Sequence, residues 1–333
     1  MRSLTLTVLC SLLLSTGCAS GQDQPRPIRL TEMPQVRVSV PSGQYSGISF
    51  VSGNQFVVVH DKAGGGGIYS FVVQLDSLGN IGIVLVSDLA ANASGEKGLD
   101  NEDVVFVKDR HSLFVASEAT QTIREYNLSG VPTGASLAVP EVFGVENITP
   151  NRGFESLAYS AATGLFWTTT ELPLKADSLY RIQSFSAETL EAGEQFLYKA
   201  EAPSVEASLA ESARAYVFGI PALTALEDGR LLVVEREVYV PQGLSAMLSD
   251  SFSTTSIYEV DPVRCTAPVL EKKHLLTFTT YALNLADYEG MCLGPVLPDG
   301  TQTLMLVADS QGGMNGLVGE YLKLIKLQYE DLP

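Results

Sequence analysis

The chain has 333 residues, of which 38 are acidic and 21 basic, giving a formal net charge of −17, and 45% of it is hydrophobic. That apolar content is enough for a substantial core. The charge argues against a nucleic-acid partner, because phosphate backbones are held by clustered lysine and arginine, and an acidic surface repels phosphate esters unless a cation intervenes.

Arg2 and the apolar run over 4–14 read as a signal peptide, residues 1–17, too short to cross a bilayer. Ser15-Thr16-Gly17 leads into Cys18, which resembles a bacterial lipoprotein signal with Ser15 where leucine is usual. On that reading Cys18 is lipidated, 18–34 is a tether, and 35–333 forms a single domain of an exported lipoprotein facing the periplasm or held at the outer membrane; plain secretion is the alternative. The body is expected to be a monomer that meets the membrane only through its lipid. Cys10 leaves with the signal, so Cys265 and Cys292 remain in an oxidising compartment, and a disulfide between them is left open. Two cysteines and three histidines (His60, His111 and His274) make a zinc cluster improbable.

Beyond the tether, short Val, Leu, Phe, Tyr and Thr runs alternate with Gly, Pro, Asp and Asn, an all-β texture. Only 204–214 suits a helix, as a surface excursion. The runs repeat. The first unit opens at Tyr45-Ser46-Gly47-Ile48 and returns over 56–60 to Asp61. The second opens at Asp100-Asn101-Glu102, turns at Asp109-Arg110 and returns over 113–117 to Glu118. The third opens at Gly153-Phe154-Glu155, turns at Thr163-Gly164 and returns over 165–170 to Glu171. The fourth opens at Gly219-Ile220-Pro221, turns at Glu227-Asp228-Gly229 and returns over 231–234 to Glu235. The fifth opens at Asp287-Tyr288-Glu289, turns at Asp299-Gly300 and returns over 304–308 to Asp309. Two further strand-like runs follow in each of the first four units (68–75 and 81–86, 122–128 and 135–139, 180–185 and 194–198, 256–260 and 275–280). One, 321–327, follows in the last.

Four antiparallel strands per repeat make a blade, so the predicted fold is a β-propeller of five blades, or six if one has diverged. The missing strand is expected from the N-terminus, 36–40 or 28–33, closing the ring and removing its open edges.

In such a ring the first strand of each blade lines a central channel and the second returns beside it. Acids where strand one begins (Glu102, Glu155, Glu289) and where strand two ends (Asp61, Glu118, Glu171, Glu235, Asp309) therefore converge on one mouth. So many like charges require protonation or a cation. Oxygen-only ligands suit Ca2+ before Mg2+. Compensation by Arg152, Arg236 and Lys62 is a third solution, and strand-end capping by the acids is the structural alternative.

The quoted repeats resemble the phytase-like family, described by an esterase-like activity of phytase. The matching pieces are Gly153-Phe154-Glu155 with 167–171, 231–236, and 287–295 with 304–309; the resemblance covers about 40–330. Glu289-Gly290-Met291 followed by Leu293-Gly294-Pro295 is its most specific part. Ser156 stands where the family favours glycine, and Asp309-Ser310-Gln311 replaces a more asparagine-rich ending. The resemblance implies an exported, calcium-dependent propeller acting on phosphate or other small-molecule esters. In that reading the eight acids are metal ligands, Glu155 and Glu289 are candidates for aligning water, and His60 beside Asp61 is a candidate general base.

No G-x-S-x-G elbow, H-E-x-x-H helix or Walker loop occurs; the glycines at 64–67 lack the following Lys-Ser/Thr. Trp167 reads as core rather than a stacking platform. Two other functions stay open: a non-catalytic binding propeller whose acids are structural, and a lactonase-like hydrolase with one central Ca2+.

Overall fold

The computed structural model describes residues 25–40, 43–61, 67–90, 99–310 and 319–330. The signal peptide, Cys18, Lys62, Gly64 and Gln311 lie outside them. Five antiparallel sheets form a five-blade propeller, and the described residues hold no sixth.

Blade 1 contains β3 (Tyr45–Ser52), β4 (Gln55–His60), β5 (Gly67–Leu75) and β6 (Ile81–Ala90). Blade 2 contains β7 (Asn101–Val107), β8 (Ser112–Ser117), β9 (Thr122–Asn127) and β10 (Pro132–Ser136). Blade 3 is β11 (Phe154–Ser160), β12 (Leu165–Thr170), β13 (Tyr180–Ser186) and β14 (Ala192–Tyr198). Blade 4 is β15 (Ala215–Ala225), β16 (Leu231–Val240), β17 (Phe252–Val260) and β18 (Lys272–Tyr281). Blade 5 has β19 (Asp287–Leu293), β20 (Gln302–Asp309) and β21 (Tyr321–Tyr329). Three of the predicted turns close on glycines with positive φ, Gly164 at 66°, Gly229 at 89° and Gly300 at 84°, a conformation that a side chain strains.

Both candidate closing runs are used. β1 (Ile28–Glu32) pairs with Ile325 to Tyr329, and β2 (Val36–Arg37) pairs with Tyr321 and Leu322 further along the same strand. Ile28 and Leu30 alternate inward and are buried, which is why this segment docks. The propeller therefore starts at Ile28, inside the stretch assigned to the tether, and the boundary moves from 34 to 27.

Two outer elements differ from expectation. The last strand of blade 2 is Pro132–Ser136 rather than 135–139, because Pro132 is tolerated on an edge strand and Leu137 already turns into the core. Blade 4 is taller than expected. β15 and β16 run on to Ala215 and Val240, and α2 (Leu244–Asp250) packs on that extension through Met247. The helix-compatible stretch gives only α1 (Ala207–Ser212).

The core is divided among the five blade interfaces. Phe114 and Phe166 stack at 4.6 Å between blades 2 and 3. Trp167, Ile220 and Val233 pack blade 3 on blade 4, so Trp167 is core. Leu226, Ile257 and Ile325 join blade 4 to blade 5, Tyr45 and Leu322 join blade 5 to blade 1, and Val57 and Val115 join blade 1 to blade 2. Burial of each such side chain contributes about 1.5–3 kcal/mol, so the ring is held by equivalent, adjacent interfaces. Cys265 and Cys292 are both free thiols; they sit in different interface cores, Cys265 between blades 3 and 4 and Cys292 between blades 5 and 1.

Candidate metal centre at the channel mouth

Each first strand carries one extra residue near its beginning. The pairing shifts between Asn101↔Ser117 and Asp103↔Ala116, between Phe154↔Thr170 and Ser156↔Thr169, and between Tyr288↔Ala308 and Gly290↔Val307. The same shift occurs between Tyr45 and Ile48 and between Gly219 and Ala222. Such bulges re-aim a side chain out of the regular alternation. In blades 2, 3 and 5 the bulged residues are Glu102, Glu155 and Glu289. Blades 5 and 1 also meet closely here: a Cβ on Gly290 would lie 2.6 Å from the Ser46 carbonyl oxygen, so the position demands glycine.

The inward-facing residues Ile48, Leu157, Leu223 and Met291 line the lower channel. Three of their strand-two partners are Val58, Thr168 and Leu306, and Leu223 pairs with Val233. Three residues beyond those partners stand Asp61, Glu171, Asp309 and, in blade 4, Arg236. Glu235 is one residue out of register, and alternation puts it on the other face of β16. There it accepts hydrogen bonds from the Tyr198 hydroxyl (2.5 Å), Lys272 Nζ (2.7 Å) and the Glu201 amide (2.9 Å). Glu235 therefore does not belong to the mouth, and its place is taken by an arginine.

A cavity of about 150 Å3 opens between the remaining acids, lined by Asp61, Glu102, Glu155, Glu171, Glu289 and Asp309 together with Asn151, Arg152, Val217 and Arg236. Its two sides differ. On the side of blades 3 to 5, Arg236 is 2% exposed and donates through Nη2 to Glu171 Oε1 at 2.5 Å and through Nη1 to Asp287 Oδ1 at 2.9 Å. Nη1 also donates to Glu289 Oε1. Arg152 Nη1 donates to the other Glu171 oxygen at 2.5 Å. The surrounding carboxylates hold the Arg236 guanidinium firmly protonated against its burial.

On the other side, Glu102 and Glu155 are 6% and 7% exposed. Among the described residues neither has a hydrogen-bond or ion-pair partner. Glu118 accepts the Gly153 amide at 2.5 Å. One oxygen from each of Glu102, Glu118 and Glu155 lies within 4.8 Å of the others, and the same holds for Asp61, Asp100 and Glu102. Burial, reinforced by the neighbouring acids, holds the Glu102 and Glu155 carboxyls well above the usual range. Burial also raises Glu118 to about 7, with the Gly153 amide opposing. Burial raises Glu289 to about 8 although Arg236 pulls it down. All-oxygen donors drawn together at such electrostatic cost fit a hard divalent cation.

His60 does not reach the mouth. It precedes Asp61 on β4 and faces the opposite side, its ring against Tyr45 and Tyr69, with Nε2 accepting the Gln44 amide at 3.3 Å. Its contact with Asp61 is 3.6 Å through Nδ1. A general-base role is therefore not supported by its position.

The sequence reading missed Asp100 and Asp287. Both stand two residues before a bulged glutamate, a repeat visible in the unaligned sequence. It also missed Asp103, buried at 1% and accepting the Leu157 amide at 2.6 Å, which ties blade 2 to blade 3.

A family model described as "Phytase-like: Esterase-like activity of phytase" matches residues 40–311. The chain belongs to the phytase-like family. No curated protein gives a significant match. Solved structures similar to this phytase-like propeller include the catalytic domain of a GH62 α-L-arabinofuranosidase from Coprinopsis cinerea, at 11% identity and TM-score 0.48 over 91% of this chain and 98% of that one. A DUF4221 family member from Bacteroides vulgatus has 7% identity and TM-score 0.46 over 92% and 100%. The PQQ-bound aldose sugar dehydrogenase of Streptomyces coelicolor has 9% identity and TM-score 0.42 over 91% and 99%. Likenesses this remote say nothing of the phytase-like mouth or its chemistry.

Proposed function

We propose that the protein is an exported, calcium-dependent hydrolase of small carboxylic or phosphate esters, with the acidic mouth as its site. The observation that carries this reading is the pair Glu102 and Glu155, nine-tenths buried, without hydrogen-bond or ion-pair partner among the described residues, and within reach of one ion together with Glu118. Membership of a family named for esterase-like activity supports it.

Glu102, Glu118 and Glu155 would hold the ion, with Asp61 and Asp100 adjoining through Glu102. When bound, Ca2+ supplies positive charge to polarise an ester oxygen and to favour hydroxide over water. The chain's own groups complete the site. Arg152 is partly exposed on the rim and can receive one anionic oxygen of a substrate. Glu155 lies on the blade that carries Asn151 and Arg152, which makes it the member of the triad placed to take a proton from water. Val217, on the extension of β15, walls the blade 4 side and keeps solvent from the reacting group.

Six carboxylates against two arginines in the lining leave a negative excess that one Ca2+ does not cancel. The site therefore suits a neutral ester or a monoanion and disfavours a polyanion. Export and lipidation of Cys18 rest on the sequence alone and are part of the proposal, as is a monomeric state.

The test is hydrolysis of p-nitrophenyl acetate and p-nitrophenyl phosphate by the full chain in Ca2+ and in EGTA. Calcium-dependent turnover of at least one is expected, with Glu155→Gln reducing it by about 100-fold or more. Turnover of neither, with calcium demonstrably bound, refutes the hydrolase and leaves a binding propeller. Turnover indifferent to EGTA refutes the role of the metal.

A further inference from the structure

Arg236 occupies the strand-two position that Asp61, Glu171 and Asp309 hold in their blades, so the ring exchanges a carboxylate for a cation at one point. The side chain is buried, and its two terminal nitrogens reach one carboxylate each from strand two of blade 3 and from both acids at the start of blade 5. A guanidinium stays charged under all ordinary conditions and presents several donors in a fixed plane. It therefore does for Glu171, Asp287 and Glu289 what a metal ion would do. Among the described residues no arginine or lysine is bonded to Glu102 or Glu155 on the far side of the same cavity, or to Glu118 beside them.

We propose that Arg236 is a built-in counter-cation that withdraws Glu171, Asp287 and Glu289 from metal binding and confines divalent ions to the Glu102 side of the mouth, where Glu118 and Glu155 lie within reach and Asp61 and Asp100 adjoin. This rests on the reading of the mouth as a calcium site and adds which half of it binds. Two of the eight predicted ligands, Glu171 and Glu289, are thus satisfied by Arg236 itself. Arg236 also sets the number of ions the mouth accepts: without it, Asp287 and Glu289 would stand uncompensated beside Glu171, which keeps only its bond from Arg152, and buried carboxylates without a cation are the condition that defines the metal-binding half.

The probe is CaCl2 titrated into the full chain by calorimetry. Glu102→Gln should weaken binding by about 100-fold or more, as one of three charged ligands is lost. Glu289→Gln and Asp287→Asn should each leave the affinity within about threefold of wild type, a difference worth under about 1 kcal/mol. Arg236→Met should raise the stoichiometry by one ion per chain. Since that variant removes a buried charge and could fail to fold, the two conservative variants stand as the independent arm. If wild type binds calcium and Glu289→Gln weakens it as much as Glu102→Gln does, the division of the mouth is wrong although the site stands. An unchanged stoichiometry in folded Arg236→Met also overturns it. If wild type binds no calcium, the site itself is refuted, and the division falls with it.

Discussion

With calcium withheld by EGTA, the protein's stability should fall as pH rises, the reverse of the usual behaviour of paired carboxylates. The groups responsible are Glu118, raised to about 7, Glu289, raised to about 8, and Glu102 and Glu155, held well above the usual carboxylate range by burial and by neighbouring acids. All four have raised values, so between the ordinary carboxylate range and their folded values the native state binds more protons than the unfolded chain. Stability then declines with pH. Below about pH 4.5 both states are largely protonated and there is no effect; above about pH 8 Glu118 and Glu289 are ionised in the fold and their share of the cost is complete. A group moved from 4.5 to about 7 accounts for about 3 kcal/mol. The four groups are neighbours and their costs do not add, so the loss expected between about pH 5 and pH 8 is about 3–6 kcal/mol, against a typical total of about 5–15 kcal/mol. At about 2–4 °C per kcal/mol this is a drop of roughly 10 °C in Tm. The assay is thermal unfolding followed by circular dichroism across that range in EGTA and again in excess CaCl2. Calcium at about 1,000 times its Kd restores about 4 kcal/mol and binds better as the ligands ionise. A Tm in EGTA that is flat or rises from pH 5 to 8 would refute the reasoning.

Glu235→Gln should cost about 1–3 kcal/mol in urea unfolding, because Lys272 and the Tyr198 hydroxyl lose a charged acceptor, while calcium affinity stays at the wild-type value; a loss of calcium binding would return Glu235 to the mouth. Phe114→Ala, at the contact between blades 2 and 3, should destabilise by about 3–5 kcal/mol in the same assay, and a cost below about 1 kcal/mol would mean that this interface does not bear on stability. Leu30→Asp places a charge on the buried face of the closing strand and should lower Tm by several degrees without altering the fold of the other blades; an unchanged Tm would show that the ring does not depend on its N-terminal strand.

The blades were legible because period-2 alternation, turn glycines and a strand-two acid repeat at long intervals, and each signal has a local physical cause. The two closing segments were legible too, although not that both are used: β1 and β2 share one partner strand, and a break at Pro34 between them hides their continuity. The mouth was legible in outline and wrong in one register. In Leu231-Leu232-Val233-Val234-Glu235-Arg236 the acid is the conspicuous residue, but the pattern that matters is distance from the inward-facing valine, and that counts to Arg236. A bulge adds a residue without changing composition, so counting from the turn or matching acid to acid cannot detect which face a side chain takes. His60 is a different case: it ends β4 with its ring against Tyr45 and Tyr69, and nearness to Asp61 in the sequence does not by itself place the ring in the cavity.

The closing strand also fixes which way the mouth points. β20 ends at the mouth with Asp309, and β21 runs back from Tyr321 to Tyr329. Ile28 pairs with Tyr329, so the chain enters the fold at the end of the channel opposite the acids. If Cys18 carries lipid, the nine residues 19–27 span at most about 30 Å, and they attach to that opposite face. The mouth should then face away from the membrane, open to soluble esters and closed to lipid headgroups of its own bilayer. The strand polarity puts exposed Leu78, in the turn after β5, on the tethered face and exposed Leu244, at the start of α2, on the mouth side. Fluorophores on Leu78→Cys and Leu244→Cys of the lipidated protein in vesicles containing brominated lipid should be quenched at Leu78 and spared at Leu244. Stronger quenching at Leu244 would refute the orientation. Equal and negligible quenching at both sites would show that the tether holds the propeller clear of the surface and leaves it free to turn.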